Sequence, residues 1–152
     1  MAPSDTNECR HMLYTGYQAN CPVAVRYPRG SAGSADIQST MQQLEMGKAN
    51  VIKKGTKVAI LSFGTLLENA QLATDELNAT LVNMRFIKPL DTALINELIN
   101  DHDIIVTLED NAIAGGAGSA VNEYLTSIKA DVKVLNLGIP DEFIKHGTQQ
   151  QM

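Results

Sequence analysis

The sequence predicts an α/β fold, a three-layer open sheet that is mostly parallel and carries helices on both faces. Strand patterns alternate with helix patterns along residues 47–152. One strand pattern, residues 103–108, is almost wholly apolar. Alternation of this kind is typical of parallel sheets with right-handed crossovers. A nearly continuous apolar strand is expected where a sheet is covered on both faces.

Length and composition indicate one globular core in a soluble protein. The chain has 152 residues, 44% of them hydrophobic and 19% charged, with a net charge of -5. A negative chain lacks the Lys/Arg excess that phosphate backbones require, and no apolar run approaches the roughly 20 residues of a membrane span. Cys9 and Cys21 match neither a disulfide framework nor a zinc signature. We therefore expect a cytoplasmic protein that binds neither nucleic acid nor membrane.

The first 46 residues contain one predicted helix and one predicted strand, which do not form a domain of their own. Asp5 with Glu8 three residues later is a variant of the capping box, which predicts a helix that stops near Gly16. The β-branched run 23–27, ending at Pro28, predicts a strand. We assign residues 1–30 to the tail of another domain. The Ser-, Ala- and Gly-rich start of residues 31–46 predicts a linker.

The domain predicted for residues 47–152 contains five strands and three helices. Two strands surround a Lys54–Gly55 turn, and Leu90-Asp91-Thr92 opens the second of the helices. The elements in chain order are strands 47–52 and 57–62, helix 66–77, strand 79–84, a helix with a buried stripe of Leu94, Ile95, Leu98 and Ile99, strand 103–108, a helix through Val121 and Ile128, and strand 132–137.

A glycine cluster lies between the fourth strand and the last helix. Gly115, Gly116 and Gly118 would let backbone N–H groups approach a ligand, and a helix N-terminus favours an anion. The third glycine of a dinucleotide fingerprint is missing, since its position is Val121. Two interpretations remain, a phosphate or nucleotide site and close packing of the helix, and we favour packing.

Acidic and amide side chains end the same strand at Glu109-Asp110-Asn111. Ligands of open α/β sheets bind at the carboxyl ends of strands. Two carboxylates could transfer protons or hold a cation. Neighbouring side chains diverge, so we expect one of the acids to be solvated or to cap the next helix. The sequence leaves open which acid points inward.

Two arginines, Arg26 and Arg29, bracket Tyr27-Pro28. An arginine fork suits a phosphate because it donates two parallel charge-assisted hydrogen bonds. A lone arginine is more often a surface residue, but Pro28 and Gly30 constrain the backbone around Arg29 and favour a function there. The three histidines (His11, His102 and His146) share no ligand pattern, and we predict no metal site, serine nucleophile elbow or P-loop.

Several motifs occur together in an order that resembles a known family. They are Tyr27-Pro28-Arg29-Gly30, Phe63-Gly64-Thr65, Met84 to Asp91, Glu109-Asp110-Asn111, Gly115 to Ser119 and Leu137 to Asp141. The series resembles the end of the 1-deoxy-D-xylulose-5-phosphate synthase family. By that resemblance residues 1–30 are the tail of a pyrimidine-binding domain, 31–46 a linker and 47–152 a transketolase-type C-terminal domain without its terminal helix. Transketolases and pyruvate dehydrogenase β subunits share looser forms of two blocks.

The resemblance implies a transferase that condenses pyruvate with D-glyceraldehyde 3-phosphate to 1-deoxy-D-xylulose 5-phosphate and CO₂. The product feeds isoprenoid-precursor, thiamine and pyridoxal biosynthesis. The enzyme is a homodimer that uses thiamine diphosphate and Mg²⁺. Arg29 matches a ligand of the aldehyde's phosphate, while Glu109, Asn111, Gly115, Gly116 and Gly118 match a structural or interface loop.

The family's cofactor-binding stretches have no counterpart in these residues. There is no Gly-Asp-Gly…Asn stretch and no glutamate region for the aminopyrimidine. We therefore expect this segment to bind no cofactor or metal, to supply no catalytic residue, and to support assembly and the shape of the active site beside the remaining domains. The alternatives are a β-type subunit or domain of another transketolase-like or 2-oxo-acid-dehydrogenase-like enzyme, and a small phosphate- or nucleotide-binding module.

Overall fold

A five-stranded sheet forms the centre of the chain in the computed structural model, which describes residues 1–29, 37–145 and 147. Its strands are β1 (Asn50–Lys53), β2 (Lys57–Phe63), β3 (Thr80–Asn83), β4 (His102–Ala112) and β5 (Lys133–Ile139). They lie in the order β1-β3-β2-β4-β5. Only β1 runs antiparallel to its neighbour, and the pairings of β2 with β3, β2 with β4 and β4 with β5 are parallel. The predicted mostly parallel α/β sheet is confirmed.

Helices cover the two faces of this sheet. They are α2 (Leu67–Leu77), α3 (Thr92–Asp101) and α4 (Ala117–Ser127), while a further helix, α1 (Thr6–Gln18), precedes the sheet in the chain. Leu61 and Phe63 of β2 share a buried cluster with α3 and α4, whereas Ile60 packs in a second cluster with α2. Successive strand residues point to opposite faces, so one strand serves both clusters. Two helices on one face and α2 on the other give the predicted three layers.

Aspartate caps fix the start of two helices. Asp5 accepts a hydrogen bond from the Glu8 backbone N–H at 2.8 Å, and Asp91 accepts one from Leu94 N at 3.1 Å. The second oxygen of Asp91 accepts a bond from Ala49 N at 3.0 Å, which ties α3 to the residues before β1. Each cap satisfies an N–H group that the first helical turn leaves without a partner.

One sequence prediction about strands needs correction. Residues 23–27 form no strand, because Met1 is their only main-chain partner among residues 1–29, 37–145 and 147: Met1 N donates to Ala24 O and Arg26 N donates to Met1 O, both at 2.9 Å. The strands predicted around Lys54–Gly55 both exist but do not pair with each other. Instead β3 lies between them and pairs with both.

The part of the predicted linker that the structure describes, residues 37–46, contains no helix or strand and runs beside α1. Its backbone N–H groups donate to α1 side chains: Gln38 to Asn7 Oδ1 at 2.9 Å, Gln42 to His11 Nδ1 at 3.0 Å and Leu44 to Thr15 Oγ1 at 2.8 Å. The helix therefore holds this segment in place. Residues 31–36 of the predicted linker, and His146, lie outside the described residues.

Candidate functional site

The carboxyl ends of β2 and β4 form the crevice where a ligand is expected in this topology. The chain leaves β2 for β3 on one side and returns to β4 on the other, so a topological switch point lies between β2 and β4. Phe63 and Glu109 are register partners at that edge. A cavity of about 270 Å³ lies there, and its walls include Ala2 and Arg26 from the N-terminal segment. Residues from before the sheet thus line its functional edge.

Glu109 points into the protein and caps α4. Its side chain is buried, with the residue 2% exposed. One carboxylate oxygen accepts a hydrogen bond from Ala117 N at 2.7 Å and the other from Gly118 N at 2.8 Å. The N-cap position of α4, Gly116, offers no side chain for this purpose. A carboxylate at a helix N-terminus is also favoured by the helix dipole. Glu109 is therefore the inward-pointing acid and the cap of α4.

The glycines of the loop allow this carboxylate to approach. A Cβ on Gly116 would lie 2.3 Å from Glu109 Oε2 and from Ala112 O, and a Cβ on Gly118 would lie 2.5 Å from Thr107 Oγ1. Gly115 has φ +71 and open space around its Cβ position. An anion bound at this helix terminus would meet the Glu109 carboxylate. The geometry therefore disfavours the phosphate- or nucleotide-binding alternative and favours close packing.

Asp110 points the other way, towards Arg26. Arg26 Nη1 donates to Asp110 Oδ1, and Arg26 Nη2 donates to the Asp110 main-chain oxygen at 2.5 Å. Thr65 Oγ1 donates to the second carboxylate oxygen at 2.9 Å. The carboxylate lies beside Gly64, where a Cβ would be 2.8 Å from Asp110 Oδ1 and φ is +88. This arrangement joins the N-terminal segment to the ends of both β2 and β4.

The two arginines that the sequence analysis paired have different surroundings. Arg26 is bound to Asp110, whereas Arg29 is exposed and makes no hydrogen bond or ion pair with any residue that the structure describes. Asn111 is exposed at the end of β4. The guanidinium of Arg29 is thus open to a ligand from solvent or from another part of the protein.

A second polar cluster docks α1 onto the end of β3. Glu8 is buried, and its carboxylate accepts hydrogen bonds from Asn83 Nδ2 at 2.9 Å, from Ser4 N and Oγ at 2.8 Å, and from Arg85 Nε at 2.6 Å. Burial alone raises the pKa of Glu8, but the hydrogen bonds from Asn83, Ser4 and Arg85 outweigh it and hold that pKa below its ordinary value. Ala2 N also donates to Arg85 O at 2.9 Å.

Neither connection between the N-terminal segment and the sheet can be predicted from the sequence. The partners of Arg26 and Glu8 lie 84 and 75 positions away. The sequence places Glu8 in a capping box, Asn83 in a strand and Arg85 in a motif, and none of these local patterns points to the others. Arg85 has a left-handed backbone with φ 59, which is uncommon for a residue other than glycine, and this feature is visible only in the structure.

The described residues, 1–29, 37–145 and 147, contain no group of three or more His, Cys, Asp or Glu side chains that could hold a metal ion. We assign these residues no step of cofactor chemistry. None of the helices in the same part of the chain is long and apolar enough to cross a bilayer.

Comparison with known proteins places the chain in a family. It is 84% identical over all 152 residues to the 1-deoxy-D-xylulose-5-phosphate synthase of Pseudoalteromonas translucida, and 58% identical to those of Aeromonas hydrophila and Vibrio parahaemolyticus. The chain spans 24% of the length of each of these relatives. A solved structure described as a split gene transketolase, inactive beta4 tetramer, matches with a TM-score of 0.83 and 30% identity, covering 95% of this chain and 49% of that one. The model of the transketolase C-terminal domain matches residues 47–152. The chain belongs to the transketolase C-terminal domain family.

Proposed function

We propose that these 152 residues are the C-terminal region of a 1-deoxy-D-xylulose-5-phosphate synthase. The whole enzyme condenses pyruvate with D-glyceraldehyde 3-phosphate to 1-deoxy-D-xylulose 5-phosphate and CO₂. The observation that carries the proposal is the 84% identity to such a synthase along the entire chain. Within the enzyme, this region assembles with the other domains and shapes the entrance to the active site.

Thiamine diphosphate and Mg²⁺ belong, in this proposal, to parts of the enzyme outside these residues. The cofactor supplies the carbanion chemistry of the reaction when it is bound. Residues 1–30 are the tail of the pyrimidine-binding domain, residues 31–46 a linker, and residues 47–152 belong to the C-terminal domain. The enzyme is a cytoplasmic homodimer.

An exposed apolar surface supports a role as part of a larger assembly. Leu135 and Leu137 of β5 are 50% and 42% exposed. They are register partners of Val106 and Leu108, which lie on the α2 side of the sheet. Strands of parallel sheets are normally covered on both faces. We propose that residues of the enzyme outside the described part cover this face of β4 and β5.

Arg29 binds the phosphate of glyceraldehyde 3-phosphate in this proposal. Its guanidinium is exposed and has no partner among the described residues, so its donors are available to an anion. Pro28 stiffens the backbone directly before it. An arginine donates two parallel hydrogen bonds to a phosphate, each assisted by charge.

The proposal for Arg29 predicts a selective loss of affinity in the full-length enzyme. Arg29→Ala should raise the KM for glyceraldehyde 3-phosphate about 20-fold, since charge-assisted hydrogen bonds contribute about 1.5–3 kcal/mol. The KM for pyruvate should change less than about twofold. Arg29→Lys keeps the charge and should recover part of the affinity. Steady-state kinetics with each substrate varied in turn measures these effects, and an unchanged KM for the aldehyde would remove Arg29 from the phosphate site.

The size of the native polypeptide tests the whole proposal. Extract of the source cells is separated by size, and peptides of this segment are located by mass spectrometry. We expect them in a chain about four times as long as this one, together with peptides of an upstream cofactor-binding region. If they migrate at 16.4 kDa in untreated cells, the proposal fails.

Migration at 16.4 kDa would favour a separately encoded β-type subunit. One observation gives this alternative some support, the similarity to the split gene transketolase. The two hypotheses differ in whether the missing domains lie on the same polypeptide, so the same measurement distinguishes them.

A further inference from the structure

We propose that Arg26 and Asp110 are positioning residues for the substrate phosphate: their ion pair holds residues 27–29 at the carboxyl edge of the sheet and so sets the direction of Arg29. The inference rests on the proposed function of Arg29. It adds two residues, from distant parts of the chain. They act on the substrate through Arg29 and do not touch the substrate themselves.

The segment that carries Arg29 is attached to the rest of the chain at Arg26. Met1 and the main chain of Ala24 and Arg26 exchange hydrogen bonds at 2.9 Å. Beyond Arg26, within the described residues, Tyr27, Pro28 and Arg29 make no hydrogen bonds and are all exposed. Arg26 is therefore the last anchored residue before Arg29.

The anchor fixes both the position and the plane of the Arg26 guanidinium. One nitrogen bonds the carboxylate of Asp110 and the other bonds its main-chain oxygen. The main-chain bond ties the guanidinium to the backbone of β4. Thr65, which directly follows the Gly64 turn after β2, holds the carboxylate itself. The ends of two adjacent parallel strands thus support a single side chain of the N-terminal segment.

The connection from this anchor to Arg29 is short and stiff. Three residues span at most about 10 Å. Pro28 fixes its own φ and restricts Tyr27 to extended conformations. The direction in which the chain leaves Arg26 therefore determines where Arg29 can lie. Without the guanidinium anchor, the main-chain bond from Arg26 N to Met1 O would remain, and residues 27–29 would sample a wider range.

The ion pair also explains why Arg26 is not itself the phosphate ligand. Its two terminal nitrogens are already engaged by Asp110. The pair leaves Arg29 as the arginine of this segment whose donors have no partner among residues 1–29, 37–145 and 147.

The test compares two aldehyde substrates in the full-length enzyme. Asp110→Ala and Arg26→Gln should each raise the KM for glyceraldehyde 3-phosphate about fivefold. Neither should change kcat, or the KM for unphosphorylated D-glyceraldehyde, by more than about twofold. Arg26→Lys, which keeps one charge-assisted bond, should fall between wild type and Arg26→Gln. Asp75→Ala is the matched control, because it breaks a surface ion pair between Lys53 and Asp75 and should leave both KM values unchanged.

A double variant separates positioning from a general structural effect. In an Arg29→Ala background, Asp110→Ala should raise the KM for glyceraldehyde 3-phosphate no further, because the residue it positions is gone. Additive effects, or equal rises of KM for both aldehydes, would overturn the inference. If Asp110→Ala does not fold, Arg26→Gln provides the same test. Arg26 is half exposed, so its replacement should leave the fold intact.

The outcomes also distinguish this inference from the proposed function. If Arg29→Ala leaves the KM for glyceraldehyde 3-phosphate unchanged, the phosphate role of Arg29 is wrong and the inference falls with it. If Arg29→Ala raises that KM and the Arg26 and Asp110 variants do not, Arg29 remains a phosphate ligand and only the positioning role is wrong.

Discussion

Glu109→Gln should lower the free energy of unfolding of the chain by about 4 kcal/mol. The carboxylate accepts a hydrogen bond with each oxygen, from Ala117 N and Gly118 N. A glutamine has one accepting oxygen, so its NH₂ group would face a backbone N–H. The estimate combines a lost charge-assisted bond of about 1.5–3 kcal/mol with a buried unsatisfied donor of about 1–3 kcal/mol. Loss of the negative charge at the helix N-terminus adds up to about 1 kcal/mol.

Urea denaturation followed by circular dichroism measures this change. Glu123→Gln is the matched control, because Glu123 is an exposed glutamate on the same helix. We expect it to change stability by less than about 0.5 kcal/mol. A loss below about 1 kcal/mol for Glu109→Gln would mean that Glu109 does not cap α4 in solution.

The elements of the domain could be predicted from the sequence because their signals are local. The apolar stripe of Leu94, Ile95 and Leu98 repeats at helical spacing, and Asp91 lies where α3 begins. Residues 103–108 form most of β4. Such patterns depend on neighbours within a few residues, and packing in the sheet agrees with them.

The strand order could not be predicted, because it depends on partners far along the chain. The run 23–27 has strand-forming residues, but its main-chain hydrogen bonds to the described residues go to Met1, and it joins no strand of the described sheet. β1 pairs with β3, although β2 lies between these two strands along the chain. Propensity describes how well a residue suits a strand, and it does not say whether a partner is present.

The inward acid at the candidate site could not be chosen from the sequence for a related reason. Alternation assigns Ile105, Thr107 and Glu109 to one face of β4 and Val106 and Leu108 to the other. Both sets contain apolar residues, so the pattern does not show which face lies under α4. The structure decides it, since residues 105, 107 and 109 are buried there. A strand covered on both faces carries little directional information in its sequence.

Glu8→Gln should release α1 from the sheet at neutral pH. The carboxylate is bound by Arg85, Asn83 and Ser4, and removing one partner of a buried ion pair costs about 3–5 kcal/mol. Arg85 keeps some contact with water, so we expect the docking of α1 on the sheet to weaken by about 3 kcal/mol. Protection of the α1 amides against exchange should then fall roughly 100-fold. Amides of β4 should keep their protection, because the sheet does not depend on this contact. Hydrogen exchange at pH 7 measures both, with exposed Glu76→Gln as the control.

The pH dependence follows from the lowered pKa of Glu8. A group whose pKa is lower in the folded state than in the unfolded chain stabilises the folded state above its unfolded value, here 4.5. This contribution is lost as the pH falls through the folded value, because the protonated acid no longer carries the charge that strengthens its hydrogen bond with Arg85. The difference between wild type and Glu8→Gln in α1 docking should therefore be constant from pH 7 to about pH 5 and should shrink below pH 4.5. A difference that stays constant down to pH 3 would show that the charge of Glu8 does not hold α1, and that its shape alone does.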